Sequence, residues 1–322
     1  MTTTSGTGIA EPRQAESRDR SLSAIALLSV GVVIFSVQDI VLKGLSGAYT
    51  VHEIVFIRSL VALPILTVAL WRTGELGAVA RGWTSFLLLR SLFMFVGYSS
   101  YYLALAAMPM ADAVALAMSA PLFITALSWP VLGEPVGPRR IAAVIVGFIG
   151  CIVLLAPGSS VFEPAGLLAL LTAVTYGVAQ LLSRKTAAEF SATAMAFNLT
   201  IVFLVIGGLI GLVLGDGRMD LSAHPTMGFM FRAWSWPSQV DLALMAATGI
   251  IATLGMYCLA EAYRRTEPNI VAPFEYSALL WGILWGWLFW GTLPGANGIA
   301  GILFIVGAGL FIIYREMRLK HR

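Results

Sequence analysis

The chain has 322 residues, of which 58% are hydrophobic and only 11% charged, with a mean hydropathy of +0.86. A soluble domain carries about 25% charged residues, so this composition excludes a water-solvated surface over most of the chain and makes lipid its solvent. The net charge of +3 is scattered over short connections, which implies no nucleic-acid partner, and both cysteines fall in apolar runs, which excludes a disulfide framework.

Residues 1–21 are polar and mix Glu11, Glu16 and Asp19 with Arg13, Arg18 and Arg20. A signal peptide would start basic and turn apolar early, so this segment reads as a disordered cytoplasmic tail. A helix needs roughly 20 apolar residues to cross a bilayer core, and ten runs meet that need. They are 22–45, 51–71, 83–106, 110–132, 139–156, 164–185, 192–214, 240–263, 268–290 and 297–314. Unbroken stretches such as Ile141 to Ala156 exclude the short alternating strands of a barrel. The predicted fold is therefore all-α, a polytopic membrane protein of ten transmembrane helices. Most connections are short; the longest, 215–239, holds Trp234 and Trp236, whose rings suit the headgroup level. Residues 316–322 read as a second cytoplasmic tail.

With the N-terminus inside, fifteen Lys and Arg fall on one side of the bilayer, against Lys43, Arg218 and Arg232 on the other. Positive residues stay cytoplasmic, so both termini are expected inside the inner membrane of the cell.

The chain also repeats itself. Gln38 and Lys43 match Gln180 and Lys185 at an offset of 142; Tyr101, Leu103, Ala104 and Ala106 match Tyr257, Leu259, Ala260 and Ala262 at 156; Gly133, Ile141 and Ala142 match Gly291, Ile299 and Ala300 at 158. These ordered matches define two five-helix repeats, 22–156 and 164–315. Five is odd, so the halves thread the bilayer in opposite directions, an inverted repeat with its site expected near the midplane.

Charge inside hydrocarbon costs at least ~2.5 kcal/mol per group and marks a cavity or a partner. Four such residues stand out: Asp39, Arg58, Arg90 and Glu275. From their positions along the spans, Asp39 and Arg58 lie roughly 8–11 Å below the outer surface, and Arg90 and Glu275 about 10 Å above the inner one. Two opposite-charge pairs are thus expected, acting either as alternating gates or as permanent ties between helices. Glu275 follows Pro273, which removes a backbone donor and breaks its helix; it is the leading candidate to hold a proton or a substrate amine, and Ser119 stands at the matching place in the first half. Tyr101, Tyr257, Tyr276 and Trp281 are placed to stack on a ligand, and Gln38 and Gln180 to hydrogen-bond it or each other.

The chain resembles the drug/metabolite transporter superfamily, in its EamA-type ten-helix branch. The resemblance rests on FSVQDIVLK from Phe35 to Lys43, FIRSL around Arg58, Met108 to Pro135 ending LGEP, AEAYRRTEPNIVAPFEYSALLWG, and FWG at Phe289 to Gly291. The second-half counterpart of Gly133-Glu134 is Gly291-Thr292, so that glutamate is not duplicated. The stretches around Asp39 and Glu275 are similar to the branch that carries riboflavin and S-adenosylmethionine. The resemblance implies a secondary transporter of a small metabolite (amino acid, amine, vitamin or nucleoside-like), as monomer or homodimer; the odd-span duplication and the charges at two depths point to alternating access around a cavity lined by spans three, four, eight and nine. The competing class is an integral-membrane enzyme acting on a lipid-linked substrate. Its signatures are missing from the sequence: no His-x-x-x-His, no Gly-x-Ser-x-Gly and no Cys/His cluster, hence no metal or cofactor is expected. No phosphate-binding Gly-x-x-x-x-Gly-Lys-Ser/Thr loop occurs either, which leaves protons, exchange or facilitated passage as the driver.

Overall fold

A computed structural model of the chain describes residues 10–81, 84–133, 137–157, 163–186, 189–220, 224–266 and 268–320. The described residues are helical throughout, with no strand: α1 (Ala10–Leu45), α2 (Val51–Thr73), α3 (Leu76–Arg81), α4 (Ser85–Ala107), α5 (Met110–Ala117), α6 (Ala120–Leu132), α7 (Pro138–Leu155), α8 (Ala165–Thr186), α9 (Ala192–Leu214), α10 (Pro225–Phe231), α11 (Gln239–Arg265), α12 (Pro268–Glu275), α13 (Ala278–Trp290) and α14 (Ala296–Lys320). The first helix starts at Ala10, so residues 10–21, assigned to a tail from sequence, continue α1. Glu134 of the LGEP string lies outside the described residues.

Nine of the apolar runs give helices long enough to cross a membrane among the described residues. The run 268–290, which is not among the nine, is broken into α12 and α13, and 110–132 is broken in the same way into α5 and α6. Helix starts follow from capping hydroxyls. The Thr50, Thr84, Ser191 and Ser238 side chains each accept from the backbone N–H three residues on, satisfying donors that the first turn leaves orphaned.

The two broken crossings are the clearest record of the duplication. Each has an eight-residue helix, a two-residue break and a thirteen-residue helix. Ser119 and Ser277 hold equivalent places before the second segment, and Gly133 and Gly291 close it in the left-handed region at φ 72° and 63°. A glycine is needed there because a Cβ would strain that backbone. At both breaks the ladder switches to i→i−3 bonds, Ser119 to Leu116 in one and Ser277 to Phe274 in the other. The displacement is 158 residues, which corrects one sequence match: Ser119 corresponds to Ser277, and Glu275 to Ala117. The chain kinks at Tyr276–Ser277, just past the proline turn.

Packing repeats the same symmetry. α4 lies along α8 and, equivalently, α11 along α1; α5 and α6 pack on α8 as α12 and α13 pack on α1. The pairs α2·α9 and α7·α14 join equivalent helices of the two halves. The helices therefore interdigitate, and the broadest contacts of each run to the opposite half. At α7·α14 the backbones meet directly: a Cβ on Gly301 would lie 2.7 Å from the Gly150 carbonyl oxygen and 2.5 Å from Leu154 Cβ.

Candidate functional site

A small open cleft, with a cavity volume of about 50 Å³, lies among α1, α2, α4, α9 and α11. Its walls are apolar (Phe35, Ala62, Leu66, Leu199, Phe203, Ala252, Met256), with polar atoms from both halves: Gln38, Arg58, Ser59 and Tyr98 from the first, Thr200 and Thr253 from the second. In order of crossing, the lining comes from spans one, two, three, seven and eight. The sequence pointed to spans three, four, eight and nine. Hydropathy and depth locate a residue along the membrane normal but leave the azimuth of each helix open, and the azimuth is what decides the lining.

Arg58 is the charged group of this cleft, 8% exposed. Its Nη1 donates to the Tyr102 hydroxyl at 2.7 Å, which also receives Gln38 Nε2 at 3.0 Å. The guanidinium lies over the rings of Phe203 and Tyr102, 5.2 and 6.0 Å from their centroids, a cation–π arrangement that steadies a desolvated cation. Tyr98 packs beside both rings. α11 approaches α2 at this level because Gly249 faces the Arg58 carbonyl oxygen, which a Cβ would meet at 2.4 Å.

Neither of the two expected ion pairs forms. The ion pairs among the described residues join Arg218 to Asp216, His224 to Glu163, and Arg264 and Arg265 to Glu261. Asp39, matched in depth to Arg58, instead accepts from Tyr101 Oη at 2.8 Å. Arg90 donates from Nε to Ser183 Oγ at 2.6 Å and from Nη1 to the Met195 carbonyl at 3.5 Å. Glu275 accepts from the Tyr263 hydroxyl at 2.5 Å. Each buried charge has thus taken a neutral partner on a neighbouring helix.

The other candidates scatter. Gln180 donates to Tyr176 of its own helix at 2.6 Å. Ser119 is fully buried and bonds the Leu116 carbonyl at the α5–α6 break. Tyr276 is buried with its hydroxyl against Gly309 of α14 and no hydrogen-bond partner among the described residues. Trp281 stacks on Trp285 with centroids 5.6 Å apart, and Trp285 in turn donates to Ser36. Tyr257 is 64% exposed on the outer surface of the bundle, so its match to Tyr101 does not carry over to the interior. Sequence reasoning missed Phe35, Phe203, Ser59, Thr200 and Thr253, which no charge flagged. Tyr263 had a signal, the short connection that sets the end of α11 against α12.

One face of the bundle is plugged above the cleft. Leu42, Tyr49, Val51, Ile54, Phe203, Phe229 and Met245 form a buried cluster there. The 215–239 connection folds down onto it through α10: Thr226 Oγ1 donates to the Leu103 carbonyl, and Arg232 to that of Ser46. Trp234, expected at the headgroup level, packs against Gly211 near the end of α9 and donates from Nε1 to His52 Nδ1 at 2.6 Å, while His52 Nε2 donates to the Met230 carbonyl at 3.0 Å. Trp236 is 92% exposed. Tyr49 joins the closure by donating to Asp241 at 2.7 Å, and this bond to a carboxylate holds the phenol above its usual pKa. Lys43 caps the end of α4 by donating to the Leu105 and Met108 carbonyls. No group of three or more His, Cys, Asp and Glu suited to a metal occurs among the described residues.

A solved crystal structure superposes with a TM-score of 0.60 at 19% identity, over 91% of this chain and 99% of the other, which shows the shared fold. Among characterised relatives, the riboflavin transporter of Rhizobium johnstonii is 31% identical over 300 residues, 93% of this chain and 90% of that protein. The S-adenosylmethionine uptake transporter of Rickettsia prowazekii is 25% identical over 92% of this chain and 94% of its own length. The pseudopaline exporter CntI of Pseudomonas aeruginosa is 28% identical over 89% and 94%. The model of the EamA-like transporter family matches twice, at residues 22–156 and 164–315. With both halves matched and relatives aligned over nearly the whole length, this multi-pass membrane protein belongs to the EamA-like transporter family.

Proposed function

We propose that the chain is a secondary transporter that carries a small metabolite across the bacterial inner membrane by alternating access, with both termini in the cytoplasm. The observation that carries the reading is the cleft: polar atoms from both halves converge on one apolar hollow beneath a plugged face. The family supports it, and relatives named for uptake and for export leave either direction open to this architecture. The Lys and Arg asymmetry supports the orientation and makes the plugged face the outer one. Because helices of the two halves interdigitate, the moving bodies are mixed sets, α1 with α11, α12 and α13 against α8 with α4, α5 and α6. Glu275, on a broken helix and bonded to Tyr263, is the coupling group in this scheme.

The test is uptake into proteoliposomes of riboflavin, S-adenosylmethionine and an amino-acid panel, run on the parent and on Glu275→Gln. Gradient-dependent accumulation of at least one compound is expected, with loss of its pH dependence in the variant. Unchanged kinetics and pH dependence in Glu275→Gln would remove that residue from coupling. Conversion of a lipid-linked substrate with no transbilayer movement would replace the transporter by the enzyme reading.

A further inference from the structure

We infer that the metabolite taken by the cleft bears an oxyanion, a carboxylate or a phosphate, on an apolar ring-bearing body, and that Arg58 is its anchor. The inference rests on the transporter reading above and names the substrate class for the same site. A guanidinium carries five N–H donors in a planar fork, matched to two oxygens of an anion. Arg58 spends one on the Tyr102 hydroxyl. It is more than nine-tenths buried and lines the cleft, and no carboxylate of the described residues lies within ion-pair distance of it. The nearest candidate by depth, Asp39, is committed to Tyr101 and does not line the cleft. A buried cation without a counter-ion is costly, and the ligand is the group that supplies the missing charge.

The rest of the lining sharpens the class. It contains no Asp or Glu, so an amine would find no counter-charge there. The hydroxyls of Ser59, Thr200 and Thr253 donate back to carbonyls of their own helices, Val55, Ala196 and Gly249. Gln38 also lines the cleft, with its Oε1 unpartnered among the described residues, so Arg58 is the charged anchor and Gln38 a neutral acceptor beside it. Phe203 and Tyr102 lie against the guanidinium, and Phe35, Tyr98 and Met256 offer flat or soft apolar surface to the rest of the ligand.

The experiment uses matched probes that share a ring system and differ in charge: indole-3-acetate against indole-3-acetamide, nicotinate against nicotinamide, and flavin mononucleotide against riboflavin. Binding is read from the thermal stabilisation of purified protein and transport from counterflow in proteoliposomes, both near neutral pH. The anionic member of at least one pair is expected to bind about tenfold or more tighter than its neutral partner. That ratio falls towards one in Arg58→Gln and survives in part in Arg58→Lys. The ratio is measured within one preparation, so loss of folded protein does not move it, and the phosphate and carboxylate pairs tell the two anions apart. Preference for neutral or cationic compounds, or an unchanged ratio in Arg58→Gln, overturns the inference while leaving transport intact. Failure of every compound to cross the bilayer, whatever its charge, overturns the transporter reading and this inference with it.

Discussion

Gly249→Ala is the smallest change that probes the seam beside Arg58. A Cβ at this position would lie 2.4 Å from the Arg58 carbonyl oxygen, 3.2 Å from Val61 Cβ and 3.3 Å from Ala62 N. The first atom belongs to backbone and cannot swing away. Restoring a normal contact of roughly 3.5 Å moves α11 about 1 Å from α2, or turns α2 and with it the Arg58 side chain. Overpacking of this kind costs about 1–3 kcal/mol, from which the better helix propensity of Ala returns up to about 1 kcal/mol. The net loss of up to about 2 kcal/mol corresponds to a Tm lower by up to roughly 3 °C in a chain of 322 residues. Gly44→Ala is the control, because nothing lies within 4 Å of a Cβ there and its Tm should hold or rise. The assay is thermal unfolding in detergent together with initial uptake rates, which Gly249→Ala should lower and Gly44→Ala should leave alone. If the two variants unfold and transport alike, the close approach at Gly249 does not position the cleft.

Tyr102→Phe removes the acceptor shared by Arg58 and Gln38 and should cost about 1–3 kcal/mol, read as a lower Tm and a raised KM for uptake. Trp234→Ala should loosen the plug: in a chain with Cys151 and Cys258 replaced by alanine, a cysteine at Thr226 should react with an impermeant maleimide at least several-fold faster than with Trp234 in place. Equal labelling rates would show that the His52–Trp234 bond does not hold α10 down. Epitope tags near residue 160 and at the C-terminus should be accessible from opposite faces of the membrane; access from one face would remove the inverted arrangement of the halves.

Much of the architecture was legible because lipid imposes a one-dimensional rule. Apolar length gave the crossings, and the match of Gly133 with Gly291 already held the 158-residue displacement on which the broken helices superpose. The partners of the charges were not legible. Asp39 and Arg58 do not pair; a tyrosine on α4 stands against each, and adjacent residues Tyr101 and Tyr102 serve different charges. Rotation about a helix axis decides such contacts, and hydropathy is silent on it. The same gap explains Tyr257, equivalent to Tyr101 by sequence and turned to the bundle surface. The contacts of Trp234 were not legible either: the missing side chain of Gly211 leaves a slot that the indole fills, and His52 supplies the acceptor its N–H needs.

The interlocked packing has a consequence for assembly. Since α1 finds its broadest partner in α11 and α4 finds its own in α8, neither half contains the surfaces that would cover its helices. Residues 22–156 made alone would leave those faces to lipid, or to a second copy inserted upside down. Severing the chain in the connection after Leu155 should therefore yield two fragments that are degraded singly and rescue one another when synthesised together, like the paired subunits of a dual-topology dimer.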